Sequence, residues 1–179
     1  MNSRDFWLEP FAQTGKPADI TIGGTIARRA DVLAIHYELR GRLAELVIPG
    51  PAARPARRNG LWEATCFEFF LGVKEAPGYW EFNLSPAGHW NVYRFAGYRQ
   101  GMAEETAFTS LDFSVRRRPD RLGVALELDI GKMAAADQPL AVGLAAVIEF
   151  RDQGLTYWAL THPGAQADFH RRDSFQVEL

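Results

Sequence analysis

Apolar and polar residues alternate along this chain in short runs of period two, and almost nowhere at the 3.6-residue period of an amphipathic helix. In ADVLAIHYELRG, residues 30–41, Leu33, Ile35, Tyr37 and Leu39 alternate with Val32, Ala34, His36 and Glu38, the pattern of a strand with one buried face. RLAELVIPG follows Gly41 directly and is expected to return as its hairpin partner. Further strands are expected at 19–23, 61–73, 79–85, 89–95, 111–118, 121–130, 140–150, 156–161 and 174–179.

Their connections, such as EAPG, SPAG and RPDR, are short and rich in Pro, Gly and Asp. Such turns join antiparallel neighbours and leave no room for crossover helices. The expected fold is therefore all-β: an antiparallel, jelly-roll-like β-sandwich of about ten or eleven strands. Residues 49–60, PGPAARPARRNG, break the pattern and are expected to form a mobile loop.

At 179 residues, with 47% hydrophobic and 23% charged residues, the chain matches one globular domain spanning 1–179. A net charge of -2 provides no general field for nucleic acid or an acidic membrane, so neither is an expected partner. No secretory signal or membrane-length apolar run is visible, and the single cysteine, Cys66, suits a reducing compartment; the expected location is the cytoplasm. Phosphate-binding glycine loops and the G-x-S-x-G nucleophile elbow are absent. His36, His89, His162 and His170 show no zinc-site spacing, although His162, Asp168 and His170 lie close in sequence, and no metal is expected.

The chemistry concentrates in YWEFNLSPAGHWNVYRF, residues 79–95. Strand parity sets Trp80, Phe82 and Leu84 against Tyr79, Glu81, Asn83 and Ser85, which places a carboxylate and an amide about 6 to 7 Å apart on one surface. In the next strand Trp90, Val92 and Arg94 share one side, and His89, Asn91, Tyr93 and Phe95 the other. Trp62-Glu63 and Tyr157-Trp158 repeat the pairing of a ring with a polar neighbour. Rings that cover a pyranose face, beside paired hydrogen-bonding groups, are what sugar binding needs; the competing expectation is a plain solvated sheet face. For glycoside cleavage, Glu63 with Glu81 is the conceivable carboxylate pair, since Glu63 and Glu68 lie five apart and would face opposite ways in one strand.

Residues 61–102, from LWEATCFEFF to GYRQGM, and residues 157–170, YWALTHPGAQADFH, resemble the bacterial DOMON-like domains, which are related to family nine carbohydrate-binding modules. The resemblance implies an antiparallel β-sandwich that binds a small ligand, a sugar or a sugar-containing metabolite, without chemistry of its own. It implies ligand-binding positions at Trp62, Glu63, Glu81, Asn83, Trp90, Tyr93, Arg94 and Trp158. Haem is the alternative ligand in this superfamily, with Met102 and one of His89, His162 or His170 as conceivable axial groups. A sugar-modifying enzyme and a module pairing its sheet edge with a partner strand complete the alternatives.

Overall fold

In a computed structural model, which describes residues 3–11 and 19–179, the alternating runs become twelve strands joined in antiparallel pairs. Strands β1 (Ser3–Pro10), β2 (Ile20–Arg29), β3 (Val32–Gly41), β8 (Phe113–Arg118) and β9 (Arg121–Asp129) form one sheet in the order β1-β2-β3-β9-β8. The second sheet contains β4 (Cys66–Val73), β5 (Tyr79–Leu84), β6 (Trp90–Phe95), β7 (Ala103–Glu104), β10 (Leu140–Phe150) and β11 (Gly154–Ala159), in the order β7-β6-β5-β4-β10-β11. A short β12 (Val177–Glu178) adds to β10.

Strand β1 links the two sheets. Its first part pairs with β2, while Glu9 and Pro10 pair with Ala159 and Trp158 of β11, so the sheet curls at this corner into a β-sandwich. The core lies between the layers and is built from the expected parity: Leu33, Ile35, Tyr37 and Leu39 from β3 meet Phe67, Phe69 and Leu71 from β4 and Phe82 and Leu84 from β5. Phe69 and Phe82 stack at 4.2 Å, and Tyr37 sends its hydroxyl across the core to the Glu68 carbonyl at 2.7 Å. Burying such large rings supplies the main driving force, since apolar surface removed from water stabilises at about 25 cal/mol per Å².

The strand expected over 174–179 shortens to β12 after a 3₁₀ turn at Arg172–Ser174, and three larger expectations change. Residues 42–50 do not return along β3, because β3 already has partners on both edges, β2 and β9. The chain instead forms a 3₁₀ turn at Leu43–Glu45 and buries Leu46 against the core, next to Phe150. The strand expected over 61–73 begins only at Cys66, after a second 3₁₀ turn at Leu61–Glu63.

The third change concerns 49–60, which is a pinned segment and not a mobile loop. Ala56 and Arg58 exchange backbone hydrogen bonds with Trp90. The Arg57 guanidinium lies 4.3 Å over the Trp90 ring and donates to Asn91 Oδ1 at 2.8 Å and to the carbonyls of Glu105 at 3.0 Å and Phe108 at 2.6 Å. A half-buried cation with this many acceptors ties three segments together. Arg57→Ala should lower the unfolding free energy by about 2 kcal/mol, read as a fall in the urea midpoint at unchanged slope. A loss below about 0.5 kcal/mol would mean that the segment is a passive cover.

Candidate functional site

The second sheet has two covered faces. One packs on the core, and the other carries Glu68 and Phe70 of β4, Tyr79, Glu81 and Asn83 of β5, and Asn91, Tyr93 and Phe95 of β6. Opposite pairs run Asn91–Asn83–Glu68–Ala145–Ala159 across five strands, so a polar row passes into two alanines. Those small side chains keep that end of the face low.

The chain after β11 crosses this face as a strap. Phe175 seats over Gly143 and Arg172 over Gly72: a Cβ at Gly143 would stand 2.9 Å from Phe175 Cδ1, and one at Gly72 1.4 Å from Arg172 Nη1. Arg172 also donates to the Val73 carbonyl at 2.8 Å and lies 4.8 Å from the Phe175 ring. Phe70, Tyr79, Tyr93, Phe95 and Phe175 form a small second core beneath it.

Where the strap stops covering the face, a recess of about 540 Å³ remains. Its floor contains Glu68, Glu81 and His170; Trp62, Tyr157 and Phe169 stand around it, and Arg99 and Met102 come from the turn after β6. Trp62, Tyr157 and Phe169 are partly exposed, and the Trp62 ring leans edge-on against Tyr93 at 5.8 Å.

Hydrogen bonds fix most of the polar floor. Asn83 Nδ2 donates to Glu81 Oε1 at 2.8 Å, and Glu81 Oε2 stands 3.7 Å from His170 Nε2. Arg99 N–H donates to the Tyr79 oxygen at 3.1 Å, which leaves the Tyr79 hydroxyl proton for His170 Nδ1 at 2.9 Å. The imidazole proton then sits on Nε2, facing Glu81. Asp168 accepts from Tyr98, from Arg99 at 2.8 Å and from the His170 N–H at 3.1 Å, and so locks the β6–β7 turn to the strap. Arg99 is held in the left-handed region, at φ 52°, by these contacts.

Burial dominates the electrostatics. It raises Glu68 well above the ordinary carboxyl value of 4.5, with the charge of Glu81 adding to the effect. Burial raises Glu81 as well, against the Asn83 hydrogen bond and the Arg99 charge. His170 is pushed down to about 4, first by burial and then by Arg99, so it is neutral at pH 7 and makes no ion pair with Glu81. Glu68 Oε1 is buried and has no hydrogen-bond partner among the described residues.

No family model and no curated protein matches the sequence. The fold does match solved structures. It is similar to a putative carbohydrate-binding protein from Bacteroides uniformis ATCC 8492, at TM-score 0.63 and 12% identity over 97% of this chain and 83% of that one. It is also similar to a family 9 carbohydrate-binding module from Caldicellulosiruptor kristjanssonii in complex with cellotriose, at TM-score 0.51 and 8% identity over 90% and 74% of the two chains. The same family 9 likeness is found in a complex with glucose, at TM-score 0.51 and 11% identity over 91% and 77%. The chain has the β-sandwich fold of these proteins.

Of the expected positions, Trp62, Glu63 and Glu81 line the recess. Asn83 and Tyr93 are buried behind it, one holding Glu81 and the other supporting Trp62. Trp90 and Trp158 are not in the recess: they pair with Leu84 and Ala146, share the parity of those core residues and are buried in the main core. Arg94 pairs with Trp80 and is exposed at the sheet margin. The expectation that Glu63 and Glu68 cannot share a cleft also fails, because Glu63 sits in the 3₁₀ turn, where strand parity does not apply. Glu68, Tyr157 and Phe169 went unrecognised. The signal for Glu68 was a carboxylate with apolar neighbours on both sides in CFEFF. His162 bonds to the Glu9 carbonyl at 2.8 Å, away from Asp168 and His170.

The raised Glu68 carboxyl has a defined sign. The folded state holds its proton more tightly than the unfolded chain, so its stabilising contribution is complete below about 4.5 and is lost as pH rises through the higher folded value. The lowered His170 acts oppositely, but only between about 4 and 6.5. Glu68→Gln should therefore gain Tm relative to the native protein as pH increases from about 5 to 8, with a slope of at most about 1.4 kcal/mol per pH unit. A Tm difference that does not change with pH would show that Glu68 titrates alike in both states.

Proposed function

We propose that the recess binds carbohydrate, a sugar or a sugar-containing metabolite, and performs no reaction on it. The observation that carries this reading is the arrangement of Trp62, Tyr157 and Phe169 as partly exposed rings around a buried set of hydrogen-bonding groups. Rings cover the C–H faces of a pyranose at small entropic cost, and fixed acceptors select among its hydroxyls. A volume of about 540 Å³ is within the range of small-molecule sites. The family 9 modules of the same fold, solved with cellotriose and with glucose, support the same ligand class.

Membership of the DOMON-like group is part of the proposal. The two segments that carry the resemblance, 61–102 and 157–170, supply every residue lining the recess except Val147 and Leu155. Haem suits the recess less well. Met102 and His170 do line it together, but His170 Nδ1 bonds to Tyr79, which leaves only Nε2, 3.7 Å from Glu81, as an axial group.

Calorimetry and thermal shift with glucose, cello-oligosaccharides, amino sugars and hemin test this reading. A sugar at a hundred times its Kd should add about 2.7 kcal/mol, a rise of several degrees in Tm. Trp62→Ala and Tyr157→Ala should each weaken that sugar about tenfold, whereas Arg94→Ala should not. A hemin response with a Soret band and no sugar response would replace the proposal with haem binding.

A further inference from the structure

The recess is lined by three acidic residues, Glu63, Glu68 and Glu81, and by one cation, Arg99. Glu68 stands opposite Asn83, so Glu81 is its diagonal neighbour on the same face, about 7 to 8 Å away along the backbone. Three cations stand near the face. Arg99 is paired with Asp168 at 2.8 Å, Arg57 is held by Asn91 and two carbonyls, and Arg172 is held by the Val73 carbonyl and Phe175, with its Nη1 above Gly72 and without a partner among the described residues. His170 turns an N–H toward Glu81, but at 3.7 Å it is beyond a hydrogen bond.

Glu68 is one of two buried side chains with an unpartnered polar atom among the described residues, and of the two it alone lines the recess. It is 3% exposed, it lines the recess, and its Oε1 meets no donor among the described residues. An unsatisfied buried carboxyl oxygen costs about 1 to 3 kcal/mol or more, so a donor arriving from the recess would recover that loss on binding.

A sugar hydroxyl brings one donor together with lone pairs that the acceptor-rich floor cannot satisfy. An ammonium brings three donors, no acceptor, and a positive charge that favours the ionised form of both buried carboxyls. Trp62, Tyr157 and Phe169 around the same space add ring faces that attract a cation.

We propose that the recess selects a sugar carrying a free amino group, its ammonium seated between the Glu68 and Glu81 carboxyls while the ring lies against Trp62 and Tyr157. This assignment rests on the carbohydrate reading and narrows it to amino sugars. Glu68 supplies the specificity, and the aromatic walls supply contact that is common to all pyranoses.

The test is calorimetry of the intact protein at about pH 6.5, where an ordinary amine is charged, with glucosamine, N-acetylglucosamine, glucose and ethanolamine. Glucosamine should bind at least tenfold more tightly than each of the other three. Glu68→Gln and Glu81→Gln, checked for native circular dichroism, should each bring the ratio of glucosamine to glucose affinity close to one. Glucose binding as tightly as glucosamine overturns the amino-sugar assignment while the carbohydrate reading stands. Ethanolamine matching glucosamine overturns it too, since charge alone would then explain recognition. If no sugar binds, both readings fall.

Discussion

Strands β4 and β5 are covered on both faces, and most of what is distinctive about this protein follows from that double burial. On one side Phe67, Phe69 and Phe82 pack against the first sheet. On the other, the strap after β11 closes over Phe70, Tyr79 and Phe95 and meets the sheet through Phe175. A sheet covered once can leave its polar alternation in water. Here the same alternation places Glu68, Glu81, Asn83 and Asn91 where water is largely excluded, so each must be satisfied within the protein or by a ligand.

The protein meets that demand unevenly. Asn83 and Asn91 are absorbed into networks, the second held by Arg57 from a segment tied to β6 by backbone bonds. Asp168 joins strap and turn by accepting from Tyr98, Arg99 and the His170 amide. Glu68 is left without a donor on one oxygen, at the point where the strap gives way to the recess. A polar group fully enclosed by protein would be expected to acquire a partner, and one that faces open volume can wait for a ligand. The position of an unsatisfied carboxyl in the lining of the recess connects structure and proposed function.

The similarity to the Bacteroides uniformis protein and to the family 9 carbohydrate-binding modules is one of architecture, at 8% to 12% identity. At that distance the sandwich is retained while the residues of any site are free to change. The walls and floor of the recess must therefore be understood from this chain's own side chains. Those come almost wholly from 61–102 and 157–170, the segments in which rings and carboxylates were already concentrated in the sequence.

Period two along a strand is a local property, and it was legible: the strands at 79–84, 90–95, 121–129 and 140–150 and the all-β sandwich follow from it. The link between β1 and β11, the strap and the pinned segment at 49–60 depend on contacts between residues far apart in sequence, which no local pattern carries. The same limit governed the site. Alternation divides a strand into two sets of side chains, but hydrophobicity identifies the inner set only when the outer set is wet. In YWALTHP both sets are apolar, and only the pairing of Trp158 with Ala146 turns that ring into the core and leaves Tyr157 at the recess. Glu68 shows the converse, because its neighbours along the chain are buried on both faces and only the packing of the strap decides that it lines a cavity. The sequence by itself determined which residues alternate; tertiary structure decided what each alternate face meets, because burial is a property of the surroundings and not of the strand.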